Sequence, residues 1–177
     1  MRRPGLRGAV GVLILLLLPL FGTSTAAAAE PLTEPTSTAL PISYHADMAV
    51  DAVHRRLYIA DIVTSSVLVT DFDGRLLRTL KNKPGAADLA LSRDSRTLYV
   101  ALSGGDAIAA VDTGTYREKA RYTTGDGTAP LRLALAGNTL WFSYGSDWDS
   151  NIGALDLSGT RPTVRLGLVP WGTWCRR

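Results

Sequence analysis

With one cysteine, two histidines, two methionines and an aromatic content of 7%, the 177-residue chain is poor in reactive side chains. Cys175 stands alone, so an intrachain disulfide is excluded, and at the far end of the chain it reads as an incidental residue. His45 and His54 have no cysteine or carboxylate at a zinc-like spacing around them and read as surface or edge residues. No G-x-S-x-G elbow is present, so a Ser-His-Asp set would have to be assembled from unconnected loops. Gly104-Gly105 and Gly125-Asp126-Gly127 precede no helical period, which makes them turns rather than phosphate cradles.

A surplus of positive charge is also missing once the N-terminus is set aside. Of nineteen basic residues, Arg2, Arg3 and Arg7 lie in the first seven positions; sixteen remain against sixteen acids, all at Glu30 or later. A neutral chain without a basic stripe has little with which to hold a polyanion, so nucleic acid is not an expected partner. The longest apolar run, residues 9–21, is thirteen residues, short of the roughly 20 that a membrane-spanning helix needs. Basic residues, an apolar run and the small residues up to Ala29 form a signal peptide over 1–29, cleaved before Glu30. With no cysteine near that point a lipid anchor is not expected. The Arg2-Arg3 pair fits twin-arginine export poorly. The expectation is a secreted, extracellular protein with no stable membrane span after cleavage.

What the chain does have is a repeat. Asp47-Met48-Ala49-Val50-Asp51 recurs as Asp88-Leu89-Ala90-Leu91-Ser92 and as Arg132-Leu133-Ala134-Leu135-Ala136. Leu57-Tyr58-Ile59-Ala60 recurs as Leu98-Tyr99-Val100-Ala101 and Leu140-Trp141-Phe142-Ser143. A third block closes on Asp71, Asp112 and Asp156. The repeats are 41 and 44 residues apart, the period of β-propeller blades. Within a unit, Met48-Ala49-Val50 suits a buried inner strand, and residues 57–60, 67–70 and 76–80 supply three more. Asp71-Phe72-Asp73-Gly74 between the last two is a turn, since Asp bonds the backbone two residues on and Gly accepts positive φ. Asp71, Asp112 and Asp156 are therefore assigned to turn chemistry rather than to a functional ring.

The organisation expected is a leader over 30–41, extended and proline-rich, then an all-β propeller-type repeat region over 42–177. That region holds about three four-stranded blades near 46–86, 87–130 and 131–167, and an atypical tail over 168–177. Leu98-Tyr99-Val100-Ala101 and its partner blocks resemble the YVTN-type repeats of secreted bacterial β-propellers, which are related in shape to NHL and WD40 propellers. The resemblance spans roughly 45–167, with Ala101 and Leu102 replacing the last two residues of the Tyr-Val-Thr-Asn motif. It implies a binding or adhesion module and names no ligand. Closed propellers use four to eight blades, so three imply an incomplete N-terminal portion of a longer propeller. Open blade edges and one-sided apolar faces make self-association a further expectation; several chains closing one ring is the lesser alternative.

Loops between the second and third strands usually lie on a propeller's binding face; here they are residues 61–65, 103–106 and 144–151. The last sets aromatics beside carboxylates, so Tyr144, Asp147, Trp148 and Asp149 are the candidate ligand contacts, for a protein or glycan partner. Asp147-x-Asp149-x-Asn151 also copies the start of a calcium loop. It fails where Gly and Glu are required, at Ile152 and Ser158. No catalytic residue, metal site or cofactor is assigned. The leading expectation is a non-enzymatic binding module; the alternative is a metal-dependent propeller hydrolase or lactonase. The alternative needs inward acids from several blades, and the aligned inner strands offer only Asp47 and Asp88, with Arg132 in the third place.

Overall fold

The computed structural model describes residues 39–146 and 149–169. The expected signal peptide, most of the expected leader, Asp147, Trp148, Cys175 and residues 170–177 lie outside these residues.

Alternating β-formers separated by Asp-containing turns produce twelve strands among the described residues. The first blade is β1 His45–Asp51, β2 Arg56–Asp61, β3 Ser66–Asp71 and β4 Leu76–Leu80. The second is β5 Ala86–Leu91, β6 Thr97–Leu102, β7 Ala107–Asp112 and β8 Glu118–Thr123. The third is β9 Arg132–Ala136, β10 Thr139–Tyr144, β11 Asn151–Asp156 and β12 Thr163–Arg165. Each blade is an antiparallel meander whose strands neighbour one another in chain order. The first strands lie side by side, β1 against β5 and β5 against β9, so they form the inner edge.

Five strands end on an aspartate that caps the turn after it. Asp51 accepts from the amides of Val53 and His54, both at 3.0 Å, and Asp71 from those of Asp73 and Arg75. Asp112 takes the Thr115 amide at 2.7 Å and Asp156 the Ser158 amide at 2.9 Å. Asp61 takes four amides. These carboxylates replace the ladder partner that a turning backbone loses.

Neighbouring blades are joined by a recurring hydrogen bond. A bulge interrupts the register of β1 on β2 between His45 and Asp47, and of β5 on β6 between Ala86 and Asp88. Bulges re-aim the side chains beside them. Asp47 Oδ2 accepts from the Leu89 amide at 2.9 Å, and Asp88 Oδ2 from the Leu133 amide at 2.6 Å. In the third blade β9 pairs with β10 without a bulge, Arg132 opposite Ser143.

Between blades the two faces interdigitate. Tyr58, Ala60, Val67 and Val69 of the first blade pack on Leu89, Leu98, Val100 and Ala109 of the second. Ala90, Tyr99 and Ile108 of the second blade then meet Leu133, Leu140, Phe142 and Leu155 of the third. Each fully buried Leu or Val here contributes about 1.5–3 kcal/mol. Volume is traded across strands within the buried face. Val100 stands opposite Ala109, and Phe142 opposite Gly153. A Cβ on Gly153 would collide with the Phe142 ring, so the aromatic ring takes the space the glycine vacates.

The expectation of a buried inner strand at 48–50 is corrected. Met48 and Val50 are 55% and 56% exposed, whereas Leu89, at the same repeat position as Met48, is buried. The difference lies in the neighbour: the second blade has the first packed on that face, while among the described residues nothing comparable covers the first.

Candidate functional site

The inner strands begin, and the loops after β2, β6 and β10 lie, at the same end of the blades. At this end Asp61 organises the segment before β1. Placed at the close of β2 and fully buried, it accepts the amides of Ser43 at 2.7 Å, Tyr44 at 3.3 Å, and Val63 and Thr64 at 3.1 Å each. Burial opposes its charge, but the Ser43 and Thr64 amides outweigh that and hold the carboxyl below the usual carboxylate range. The segment before β1 is thereby fixed, and Tyr44 stands 62% exposed with its ring stacked on His45.

Beside Tyr44 opens a cavity of about 260 Å³ that draws on all three blades. Tyr44, Ala46 and Ile62 come from the first, Ala87 from the second, and Leu131, Arg132 and Ser143 from the third. Ala46 and Ala87 sit at the two bulges and, as small side chains, leave room at the inner edge. The Leu131 amide donates to the Ser143 carbonyl at 2.9 Å, which sets Leu131 at the rim. The Arg132 side chain is 70% exposed, and its Nη1 donates to Asp88 Oδ1 at 3.3 Å. Asp88 is buried and lies near Asp47. Burial pushes its carboxyl up and the neighbouring carboxylate adds to this, outweighing the Leu133 amide and Arg132. The cleft thus presents an aromatic face, an apolar rim and one cationic group.

A larger groove of about 680 Å³ lies between the first two blades, lined by Pro41, hydroxyls of Thr64, Ser65, Ser66 and Thr79, and Arg121. Its arginine is already engaged. Arg121 holds Glu118 in a two-pronged contact at 2.7 and 2.8 Å and donates to the Asn82 carbonyl, while buried Lys83 reaches the same Glu118 at 3.0 Å.

The loop singled out in the sequence is described only in part. Tyr144 closes β10; its hydroxyl accepts the Gly167 amide at 2.8 Å, and its ring packs on Phe142, so it is tied into the third blade. Asp149 is exposed and its amide donates to the Ser146 carbonyl at 2.7 Å. Asp147 and Trp148 lie outside the described residues. Asn151, third in the calcium-like spacing, is occupied: Oδ1 accepts the Ile152 and Val169 amides and Nδ2 donates to the Val169 carbonyl. His54 Nδ1 lies 2.7 Å from buried Asp51 and belongs to a turn. The residues that sequence reasoning missed are Tyr44 and Leu131, which carry no motif. Arg132 was visible as the break in an otherwise acidic repeat position.

No protein-family model and no curated protein matches this chain. Solved structures do. Hydrazine synthase of Kuenenia stuttgartiensis shares 23% identity at a TM-score of 0.60, over 70% of this chain and 37% of that one. A streptogramin B lyase shares 14% at 0.61, over 75% and 43%. The β-propeller domain of Cps50 (Swd1) from Myceliophteria thermophila shares 13% at 0.60, over 74% and 41%. The chain spans about two fifths of the length of these structures, which include enzymes by name as well as a propeller domain. Identities this low speak for the fold alone: the chain is all-β, and its described residues form three four-stranded blades of a β-propeller.

Proposed function

We propose that this chain is part of an exported, non-enzymatic propeller that binds a protein or glycan at the end of the blades where the inner strands begin. The observation that carries this reading is the cleft of Tyr44, Leu131 and Arg132, to which three blades contribute. Aromatic and arginine side chains around an apolar floor are the groups that dominate recognition surfaces. Asp147, Trp148 and Asp149 of the 144–151 loop are proposed as further contacts for the same partner.

The second reading, a metal-dependent hydrolase, draws on the nearness of Asp47 and Asp88 at the inner edge and on the enzymes among the similar structures. Against it, each of these acids has an oxygen committed to the amide of the next blade. Among the described residues, no three His, Cys, Asp or Glu side chains are grouped to hold a metal.

Screening the chain against soluble glycans and peptides, with Tyr44→Ala and Arg132→Ala alongside, tests the proposal. A ligand whose affinity falls about tenfold or more in both variants is expected; ligands bound equally well by both would move the site elsewhere. A rise in melting temperature with calcium, zinc or manganese would favour the hydrolase instead.

A further inference from the structure

In the groove between the first two blades, positive charge is placed beyond what packing requires. Lys83 is 5% exposed, and its Nζ lies 3.0 Å from Glu118. A buried charge needs one opposite partner, and this pair supplies it. Glu118 nevertheless holds a second cation in front, Arg121, through Nε and Nη2. The three side chains form a row of cation, anion and cation with one net positive charge, and the outer member, Arg121, lines the groove. Its Nη2 also donates to the Asn82 carbonyl at 2.9 Å, which fixes the guanidinium. Nη1 has no partner among the described residues. Lys81, exposed on the same lining, adds a second charge, and no described acid pairs with it. No aspartate or glutamate lines the groove.

The opposite wall is rich in hydroxyls. Ser65 Oγ accepts the Gly85 amide at 3.4 Å and keeps its own proton to donate. Thr64 Oγ1 and Ser66 Oγ lie 2.9 Å apart, which leaves lone pairs on both and one proton between them. The Thr79 hydroxyl on the same lining adds a further donor and acceptor. We infer that this groove binds an acidic sugar, a hydroxylated ring bearing a carboxylate or sulfate, with the anionic group on Arg121 and Lys81 and the ring hydroxyls on the serine and threonine wall. A fixed guanidinium edge suits an oxyanion. A neutral sugar would leave two cations without a counter-charge, and a bare anion would leave the acceptors on the wall idle. The volume, about 680 Å³, lies within the range of small-molecule sites. The groove goes beyond the cleft of Tyr44 and Arg132 and shares none of its lining residues, so each assignment stands or falls by itself.

The test is isothermal titration calorimetry of the full chain with three probes of equal length: an oligosaccharide of glucuronic acid, a sulfated glucose chain and a neutral glucose chain. Inorganic sulfate is the fourth probe. Lys81→Gln, Thr79→Val and the pair Tyr44→Ala/Arg132→Ala are measured alongside. Lys81 is exposed, so its substitution spares the core, and circular dichroism checks that each variant keeps its β signal. Saturable binding of at least one acidic chain is expected, about tenfold or more tighter than the neutral chain and weakened by a similar factor in Lys81→Gln. Thr79→Val is expected to weaken the sugar and leave inorganic sulfate unchanged. No saturable binding of either acidic chain would overturn the proposal, as would equal affinity for the neutral chain. Inorganic sulfate bound as tightly as the sulfated chain would reduce the groove to an anion site and overturn the sugar. Acidic-chain binding lost in Tyr44→Ala/Arg132→Ala but kept in Lys81→Gln would move the ligand to the cleft, ending this assignment and sparing the proposed function. The reverse pattern would uphold the groove and leave the cleft without this ligand.

Discussion

The second and third blades are written in nearly the same repeat yet live in different surroundings. The second has a neighbour on each side: Leu98, Val100 and Leu102 are sealed against the first blade, and Ile108 against the third. The third is sealed against the second through Leu140, Phe142 and Leu155, and among the described residues no further blade packs on its other face. Trp141, the counterpart of Tyr99, is left partly in water although it is the larger ring. Hydrophobic pattern marks which side chains are able to be buried; the next blade decides which of them are. Energetic weight in a repeat protein therefore follows the number of interfaces that a unit shares, not the match of its sequence to the repeat.

The widest gap should separate two substitutions at adjacent repeat positions in these blades. Leu98→Ala empties a fully buried site and is expected to cost about 2–5 kcal/mol by urea unfolding. Trp141→Ala is expected to cost less than about 1 kcal/mol. Equal costs would mean that Trp141 is covered after all, and the comparison would fail.

Next in size is Asp61→Ala. It strands the amides of Ser43, Tyr44, Val63 and Thr64, and about 1–3 kcal/mol is expected from the buried part of that loss. Hydrogen exchange should rise at Ser43 and Tyr44 first. Protection unchanged at those two amides would show that the segment before β1 is held by something other than Asp61.

The smallest effect is in acid, where three buried carboxylates do not all shift in the same direction. For Asp61 and Asp51, burial opposes the charge but the hydrogen bonds outweigh it, leaving both below the ordinary 3.8. Their contribution is complete above about pH 4 and is lost as pH falls through the lower folded values. Asp88 is raised above 3.8, chiefly by burial, so its charged form carries a cost that acid relieves. The melting temperature is expected to fall below about pH 4, with a shallower fall in Asp61→Asn and a steeper one in Asp88→Asn. Identical acid limbs for all three proteins would contradict these assignments.

Much of the architecture could be read from the chain because its signals are local. Leu57-Tyr58-Ile59-Ala60 and its two counterparts lie on β2, β6 and β10, and the aspartates at 71, 112 and 156 cap turns within four residues of themselves. The latch from Asp47 to Leu89 spans 42 residues and depends on a bulge that alternation alone does not announce. The cleft is harder still, since Tyr44, Ala87 and Leu131 meet only after three blades have stacked. The exposure of Met48 and Val50 was missed for a related reason, because the pattern records a capacity to be covered and not the presence of a cover.

The direction of the latches has a consequence for synthesis. Each carboxylate belongs to the earlier blade and each amide to the later one, so a junction closes only after the following inner strand has left the ribosome. Asp47 waits for Leu89 and Asp88 for Leu133, and assembly runs from the N-terminus with each new blade locking the one before it. A pause in translation after Thr123 and before Leu133 would hold the chain as two joined blades with Asp88 still lacking the amide it accepts.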